Sequence, residues 1–293
     1  MTKQIKDYIA RHEVVLKKVL NDFPIPATRL HEAMTYALFP GGKRLRPILV
    51  YLTGALLGTE LACCDSIAAA IELTHCYSLT HDDLPAMDDD ALRRGKPSCH
   101  KAFDEATAIL VGDGLQALAV ELLLTELPKH LPAEKVVAVA KELLKASGPS
   151  GMISGQSLDL SELSKKDISD SELRHIHSLK TGKMILACIT MVIAASNPSR
   201  QEIDALLEFA THLGLVFQMQ DDYLDTYTDS LGKGRASDLA NEKKTFAELY
   251  TKDALYHLIN AYYQRAKDAL KPLGARADAL ISLTDTLYQR SKN

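Results

Sequence analysis

Apolar residues in this 293-residue chain return every three or four positions and almost nowhere alternate with polar ones. Between Gln201 and Tyr227, the residues Ile203, Leu206, Leu207, Ala210, Leu213 and Phe217 keep mostly to that spacing, which gathers them on one side of a helix. Similar patterns run through Tyr8–Leu20, Ile48–Leu57, Cys64–Thr80, Glu105–Leu127, Ala133–Leu144, Ser171–Ala195 and Thr251–Leu270. Breaks fall at Pro24 and Pro26, Pro40–Gly42, Pro85, Pro128–Pro132, Gly148–Gly151, Asn197–Pro198 and the polar run Thr228–Lys244. The spacing predicts an all-α fold of many antiparallel helices, with a core where side chains from facing helices can build a site. A prior of about 150 residues per domain would allow two domains. No repeat, low-complexity tract or composition shift marks a linker, so residues 1–293 read as one domain.

The charge balance, 34 Lys+Arg against 38 Asp+Glu, gives a formal net charge of -4 and no basic field to attract nucleic acid. The first residues, MTKQIKDYIARHEVVLKK, mix charges into their apolar positions and lack the apolar run of a secretory signal. The uncharged stretch Met184–Ser199 falls short of the ~20 residues that span a bilayer, so no membrane-spanning segment is expected. Five cysteines (Cys63, Cys64, Cys76, Cys99, Cys188) show no zinc spacing and read as reduced thiols of a cytoplasmic protein.

Acidic residues break the helical logic at two places. His81–Asp90 reads HDDLPAMDDD, with five aspartates from Asp82 to Asp90. The preceding helix should end near Pro85, which leaves Asp82 and Asp83 in a last turn where the macrodipole disfavours negative charge. Behind them Glu72, His75, Ser78 and Asp82 form a polar stripe on an otherwise apolar helix. In the second place, FQMQDDYLD, the residues Gln218, Asp221, Asp222 and Asp225 share one helical face that continues an apolar stretch. Two such faces turned to a common interior need cations, and hard oxygen ligands in that number suggest Mg²⁺. Basic segments alternate with them. Gly41-Gly42-Lys43-Arg44-Leu45-Arg46-Pro47 runs into a helix that Pro47 can start, Arg93-Arg94-Gly95-Lys96 follows the first acidic cluster, and Lys180, Lys183, Lys233 and Arg235 lie further on. Around one core this alternation suggests phosphates held partly by metal and partly by Arg and Lys.

These stretches together resemble the polyprenyl synthases, and within them the farnesyl diphosphate synthases of bacteria. The likeness rests on GGKRLRP (Gly41–Pro47), HDDLPAMDDDALRRGKPSCHKAFDEATAILVGD (His81–Asp113), GQSLDL (Gly155–Leu160), KTG (Lys180–Gly182) and FQMQDDYLD (Phe217–Asp225), and it covers nearly the whole chain. Leu231-Gly232-Lys233 fits the family pattern after the second acidic motif. Asn241–Thr245 reads NEKKT where the family commonly has GKST, so Lys243 matches less closely than Lys233.

The resemblance implies the isoprenoid synthase fold, a helical bundle around a central apolar cavity, and a homodimer. It implies that Asp82, Asp83 and Asp88 form one metal motif and Asp221, Asp222 and Asp225 the other, with roughly three Mg²⁺ per active site, for which Mn²⁺ can substitute. Gly42, Lys43, Arg46, His75 and Arg94 would form the isopentenyl diphosphate pocket. Arg93, Lys180, Thr181, Gln218 and Lys233 would surround the allylic diphosphate, with Lys243 as a further substrate contact. Of these, Lys180, Thr181, Gln218 and Lys233 would act in catalysis. The implied reaction is a head-to-tail condensation: the metal-held diphosphate leaves, the double bond of isopentenyl diphosphate attacks the allylic cation, and the released diphosphate takes the final proton. A geranylgeranyl diphosphate synthase shares these motifs, and a non-catalytic subunit of a heteromeric synthase is a further alternative. For product length, the helical wheel favours Ser78, about 40° from Asp82, over Tyr77 at about 140°. The resemblance favours Tyr77, five residues before Asp82, as an aromatic floor to the cavity. Ordinary core packing is the alternative for that ring.

Overall fold

The helices begin and end where caps and breakers require, over the residues that the computed structural model describes: 2–162, 168–227 and 244–291. The first, α1 (Lys3–Asp22), stops before Pro24, and α2 (Thr28–Leu38) stops before Pro40. Next comes α3 (Leu45–Leu57), which starts two residues earlier than Pro47 alone would suggest. The proline still lies in the first turn, where its missing N–H costs no helical bond. The long α4 (Leu61–Asp82) ends three residues short of Pro85. After a loop come α5 (Cys99–Ala102) and α6 (Glu105–Glu126); the carboxylate of Asp104 caps α6 by accepting from the Thr107 N–H at 2.7 Å. The remaining helices are α7 (Ala133–Ser147), α8 (Met152–Glu162), α9 (Asp170–His177), α10 (Lys183–Ala195), α11 (Arg200–Tyr227), α12 (Phe246–Leu249), α13 (Lys252–Leu270) and α14 (Asp278–Tyr288).

The expectation of an all-α fold holds, with three local differences. Periodicity alone does not reveal α2, α8 or α14, whose sequences TRLHEAMTYAL, MISGQSLDLSE and DALISLTDTLY dilute the apolar stripe with Thr, Ser and Gly. The stretch read as one helix from Ser171 to Ala195 is interrupted by a π-helical turn at Ser178–Gly182. And although long strands are absent among the described residues, β1 (Leu92–Arg93) pairs with β2 (Lys96–Pro97) in a two-residue antiparallel ladder. Arg94 and Gly95 make its turn with φ of 56° and 76°, the double positive φ of a tight hairpin.

At the centre α4 packs along α6 and α3, and α10 packs against α3, α4, α7 and α11. Leu49, Ile67, Ile71, Leu73, Ile185 and Ile189 are wholly buried here, each side chain contributing roughly 1.5–3 kcal/mol through burial. Two stretches, Glu105–Lys129 and Asp170–Ala195, are long and apolar enough to cross a membrane, contrary to the reading that no segment reaches that length. Both turn much of that apolar surface into the bundle, where α6 packs on α4 and α10 on α7.

One buried ion pair joins the first four helices. Arg44, the residue before α3, sits in the left-handed region at φ 50°, and its guanidinium is almost wholly buried. It donates to Glu13 of α1 at 2.7 Å, to the Leu38 carbonyl of α2 at 3.0 Å, and to Glu72 of α4, itself buried. Of the basic run Lys43–Arg46, Arg44 is therefore spent on the fold rather than on an incoming anion. Removing it leaves the buried Glu72 without its hydrogen-bonded partner, with only Arg94 at 3.9 Å. Arg44→Met should cost on the order of 3–5 kcal/mol in urea unfolding, and the double variant with Glu72→Met should recover most of that loss.

Candidate active site

The π-helical turn stands beside both acidic clusters, with Lys180 acting on Asp82 and Thr181 bonded to Gln218. Lys183 donates its N–H to the Ser178 carbonyl five residues back, which widens the turn between α9 and α10. From that turn Lys180 Nζ donates to Asp159 of α8 at 2.9 Å, and Asp159 is buried. The next residue, Thr181, donates its hydroxyl to Gln218 Oε1 of α11 at 3.2 Å. Gln218 Nε2 in turn donates to Asp222 Oδ1 at 2.8 Å; because a carboxylate only accepts, this fixes the amide with its oxygen toward Thr181. Asp222 is buried, and its other oxygen accepts the Phe246 N–H at 2.9 Å, tying α12 to α11. The turn can approach α8 because residue 155 is glycine: a Cβ there would stand 2.5 Å from Lys180 Cα and 2.8 Å from the Leu179 carbonyl carbon.

At the end of α4 the chain folds back, with Asp88 N–H donating to the Asp82 carbonyl at 2.9 Å. Burial pushes the half-buried Asp82 carboxyl up to about 7; Lys180 draws it down, and Asp88 and Asp159 push it further up. Asp83 is buried and held by Arg93, whose Nε donates to it at 2.9 Å while its Nη2 donates to Asp90 at 2.7 Å. Burial raises Asp83 as well, against the pull of Arg93. Asp88 is half-buried. On the other side, Asp221 accepts from Arg290 Nη2 at 3.1 Å, and the Arg290 guanidinium lies over the Phe217 ring. Asp225 lies on the same helix, half-buried.

The basic residues gather beside the first turn of α3. Arg46 Nη1 stands 3.3 Å from His75 Nε2, and since a guanidinium only donates, that nitrogen is an acceptor and the imidazole is neutral. Burial and the charges of Arg46, Arg94, Arg93 and Arg44 hold His75 well below the ordinary histidine range, in agreement. Burial lowers Arg46, while Glu72 and Asp221 favour its charge. Arg94 reaches toward Glu72 at 3.9 Å from the hairpin turn and lies beside Gly42. Gly42 and Lys43 are exposed in the segment that leads into α3. Lys96 holds the hairpin in place by donating to the Tyr36 and Phe39 carbonyls, the latter at 2.5 Å, and Tyr36 donates back to the Pro97 carbonyl at 2.7 Å.

Most residues singled out from sequence therefore stand around one region. Lys233 and Lys243 lie outside the described residues. Ser78 donates to the His75 carbonyl at 2.9 Å and is half-buried, whereas Tyr77 is 5% exposed with a hydroxyl that has no hydrogen-bond partner. Sequence reasoning missed Asp159 and Arg290 as partners of the site. Asp159 had a signal, a carboxylate inside GQSLDL; Arg290 had none, because its neighbour Asp221 is distant in the chain. Among the described residues no three His, Cys, Asp or Glu side chains form a preformed metal cage. A separate cavity of about 320 Å³ between α8 and α9, lined by Leu158, Ile168, His175 and Ile176 among others, includes none of these site residues.

Residues 27–272 match the family described as Polyprenyl synthetase. The chain is 47% identical to the farnesyl diphosphate synthase of Haemophilus influenzae over 83% of both chains. It is similar to a crystal structure of a geranyltransferase from Legionella pneumophila, with 56% identity, a TM-score of 0.92, and coverage of 99% of this chain and 98% of that one. It is also similar to a geranyltransferase from Helicobacter pylori complexed with magnesium and isoprenyl diphosphate, with 29% identity, a TM-score of 0.82 and 99% of each chain covered.

The close approach of α8 to the π-turn makes a direct test of this geometry. Gly155→Ala should push the turn away from α8, costing roughly 1–3 kcal/mol of stability by overpacking. Thermal unfolding measures that cost, and an unchanged midpoint would mean that the approach is looser than described.

Proposed function

The chain belongs to the polyprenyl synthetase family, and on that premise we propose that it joins isopentenyl diphosphate to dimethylallyl and then geranyl diphosphate, ending at (2E,6E)-farnesyl diphosphate. The observation that carries this reading is the π-turn beside both acidic clusters: Lys180, bonded to Asp159, also draws down Asp82 of the first, and Thr181 is bonded to Gln218 of the second, with a separate arginine pocket at the start of α3. Two anionic groups can thus be held apart but facing one interior.

The carboxylates of Asp82, Asp83, Asp88, Asp221, Asp222 and Asp225 suit Mg²⁺, since they are hard oxygen donors, and burial makes the charged form of Asp82 costly unless a cation joins it. Bound there, Mg²⁺ would neutralise the allylic diphosphate and make it a leaving group. Lys180 and Arg93, paired with Asp159 and Asp83, would exchange those partners for the diphosphate oxygens. The oxygens of Thr181 and Gln218, the latter's amide fixed by Asp222, would stabilise the positive charge that develops on the allyl group. Lys43, Arg46, Arg94 and neutral His75, with Gly42 leaving room beside Arg94, would hold isopentenyl diphosphate so that its double bond attacks that carbon. The last proton would go to the released diphosphate, so the chain need supply no base. Lys233 would add charge at the leaving group, and Lys243 would contact substrate.

Three further parts belong to the same reading. The enzyme would be cytoplasmic, one domain over residues 1–293, with no nucleic-acid or membrane-spanning role. It would be a homodimer, because α6 exposes Ile109, Leu110 and Leu124 at 45%, 55% and 51%, and a second copy is the cover that fits a helix face of this kind. And Tyr77, buried at the fifth position before Asp82, would floor the cavity at farnesyl length.

Three outcomes follow. Because the raised Asp82 carboxyl holds a proton that a metal must displace, Mg²⁺ affinity should rise with pH up to about 7 and level off above it. Calorimetry in buffers of different ionisation enthalpy should show proton release near pH 6 and little near pH 8, and equal release at both would remove Asp82 from the ligand set. With labelled isopentenyl diphosphate, the wild type should stop at C15 and Tyr77→Ala should run on to C20. A wild type that itself yields C20 would make the chain a geranylgeranyl diphosphate synthase, and one that yields nothing a non-catalytic subunit. In sedimentation, the wild type should run as a dimer and Leu110→Glu with Leu124→Glu as a monomer.

A further inference from the structure

The reaction outlined above leaves His81 without a task, although it stands between the proposed floor and the first aspartate. His81 lies one helical turn after Tyr77 on α4, so both side chains share a face. Its Nε2 is 3.0 Å from the Ile109 carbonyl of α6; the carbonyl only accepts, so that nitrogen carries the proton and donates. The imidazole lies against α6 at Gly112. A Cβ on that glycine would overlap the ring, standing 2.5 Å from Cε1 and nearer still to Nε2 and Cδ2. Only a glycine at 112 leaves the ring where it is.

On its other side the imidazole meets Tyr77, with ring centroids 6.0 Å apart and planes inclined at 73°, an edge-on contact. Tyr77 has no hydrogen bond to fix it, since its buried hydroxyl lacks a partner. Its position is therefore set by packing alone, and a side chain held only by packing follows its neighbours when they are cut away. Of those neighbours, His81 is itself anchored, by a hydrogen bond to a second helix and by contact with that helix's backbone.

We propose that His81 is a positioning residue for product length: seated on Gly112 and bonded to the Ile109 carbonyl, its ring is the strut that keeps Tyr77 across the end of the apolar cavity. This rests on the reading of Tyr77 as the floor. Without the strut, Tyr77 can swing into the space above Gly112, and the cavity deepens toward α6. The Asp113 carboxylate stands 3.9 Å from Nε2, beyond hydrogen-bonding distance, so the Ile109 carbonyl is the hydrogen-bond partner of that nitrogen. The specificity of the cavity would then depend on two helices, although Tyr77 itself lies on one.

The experiment is a product-length assay on the full chain with Mg²⁺, dimethylallyl diphosphate and isopentenyl diphosphate, reading the ratio of C20 to C15. That ratio is internal to the active molecules, so a general loss of folded enzyme does not move it. His81→Ala should raise it by about tenfold, the scale on which one apolar contact discriminates between substrates. His81→Gln keeps an Nε2 donor for the Ile109 carbonyl but lacks the ring, and it should shift the ratio in the same direction. Gly112→Ala should change the ratio in the wild type, where methyl and imidazole compete, yet change little in the His81→Ala background, a non-additivity that shows the two side chains meet. If Tyr77→Ala lengthens the product while both His81 variants keep the wild-type ratio, the strut is refuted and the floor stands. If Tyr77→Ala also keeps it, the floor reading fails, and the strut with it.

Discussion

Carboxylates buried inside a helical bundle are tolerable only if each meets a donor, and this requirement arranges the rest of the molecule. Glu72 lies on the central helix α4 and Asp83 directly after it, both with side chains 3% exposed, Asp159 is on α8 at 5%, and Asp222 is buried on α11. Each has a fixed answer: Arg44 for Glu72, Arg93 for Asp83, Lys180 for Asp159, and Gln218 with the Phe246 N–H for Asp222. An unpaired buried charge would cost several kcal/mol, a large part of the net stability of any domain. The hairpin, the π-turn and the left-handed Arg44 are the backbone solutions that bring those donors within reach.

The donors fall into two kinds. Arg44 is enclosed by three helices besides its own and has no route to anything but the fold. Arg93 and Lys180 are partly exposed, at 33% and 23%, so they can exchange a protein carboxylate for a substrate oxygen. In the proposed reaction Asp83, released by Arg93, is one of the carboxylates a metal would take up. Neutralising the site from within keeps it folded before any ligand arrives. The same arrangement makes the ligands replace existing pairs rather than create a charged pocket from nothing.

Much of this was legible in the sequence. The long helices follow from three- and four-residue spacing, and the prolines and glycines mark most of their ends. The acidic and basic clusters stood out because each violates what a helix prefers at that position. What was not legible depended on tertiary neighbours. Arg44 reads like Lys43 and Arg46 on either side of it, and only burial against Glu72 separates its role. The wheel angle pointed to Ser78 over Tyr77, yet Tyr77 is the buried one, because α4 is enclosed on nearly every side and an angle from Asp82 says little about depth. Asp221 and Arg290 are 69 residues apart, beyond the reach of any local pattern. The π-turn is invisible for another reason: its residues, SLKTG, continue the composition of the helices on either side.

That turn also governs how the chain can vary in length. A π-turn holds one residue more than the α-helical turn it replaces. Deleting a residue between Ser178 and Gly182 would let α9 and α10 fuse into a regular helix, a change that local propensity would not oppose. The side chains beyond the deletion would keep their faces, because the extra residue is what the wider turn absorbs, and Met184, Ile185, Cys188 and Ile189 would stay in the core. Within the turn, however, one position would be lost, and Lys180 and Thr181, adjacent residues that reach α8 and α11, could not both keep their partners. A deletion here would spare the bundle and undo the site, so natural variation in this segment should change residue identity and leave residue number alone.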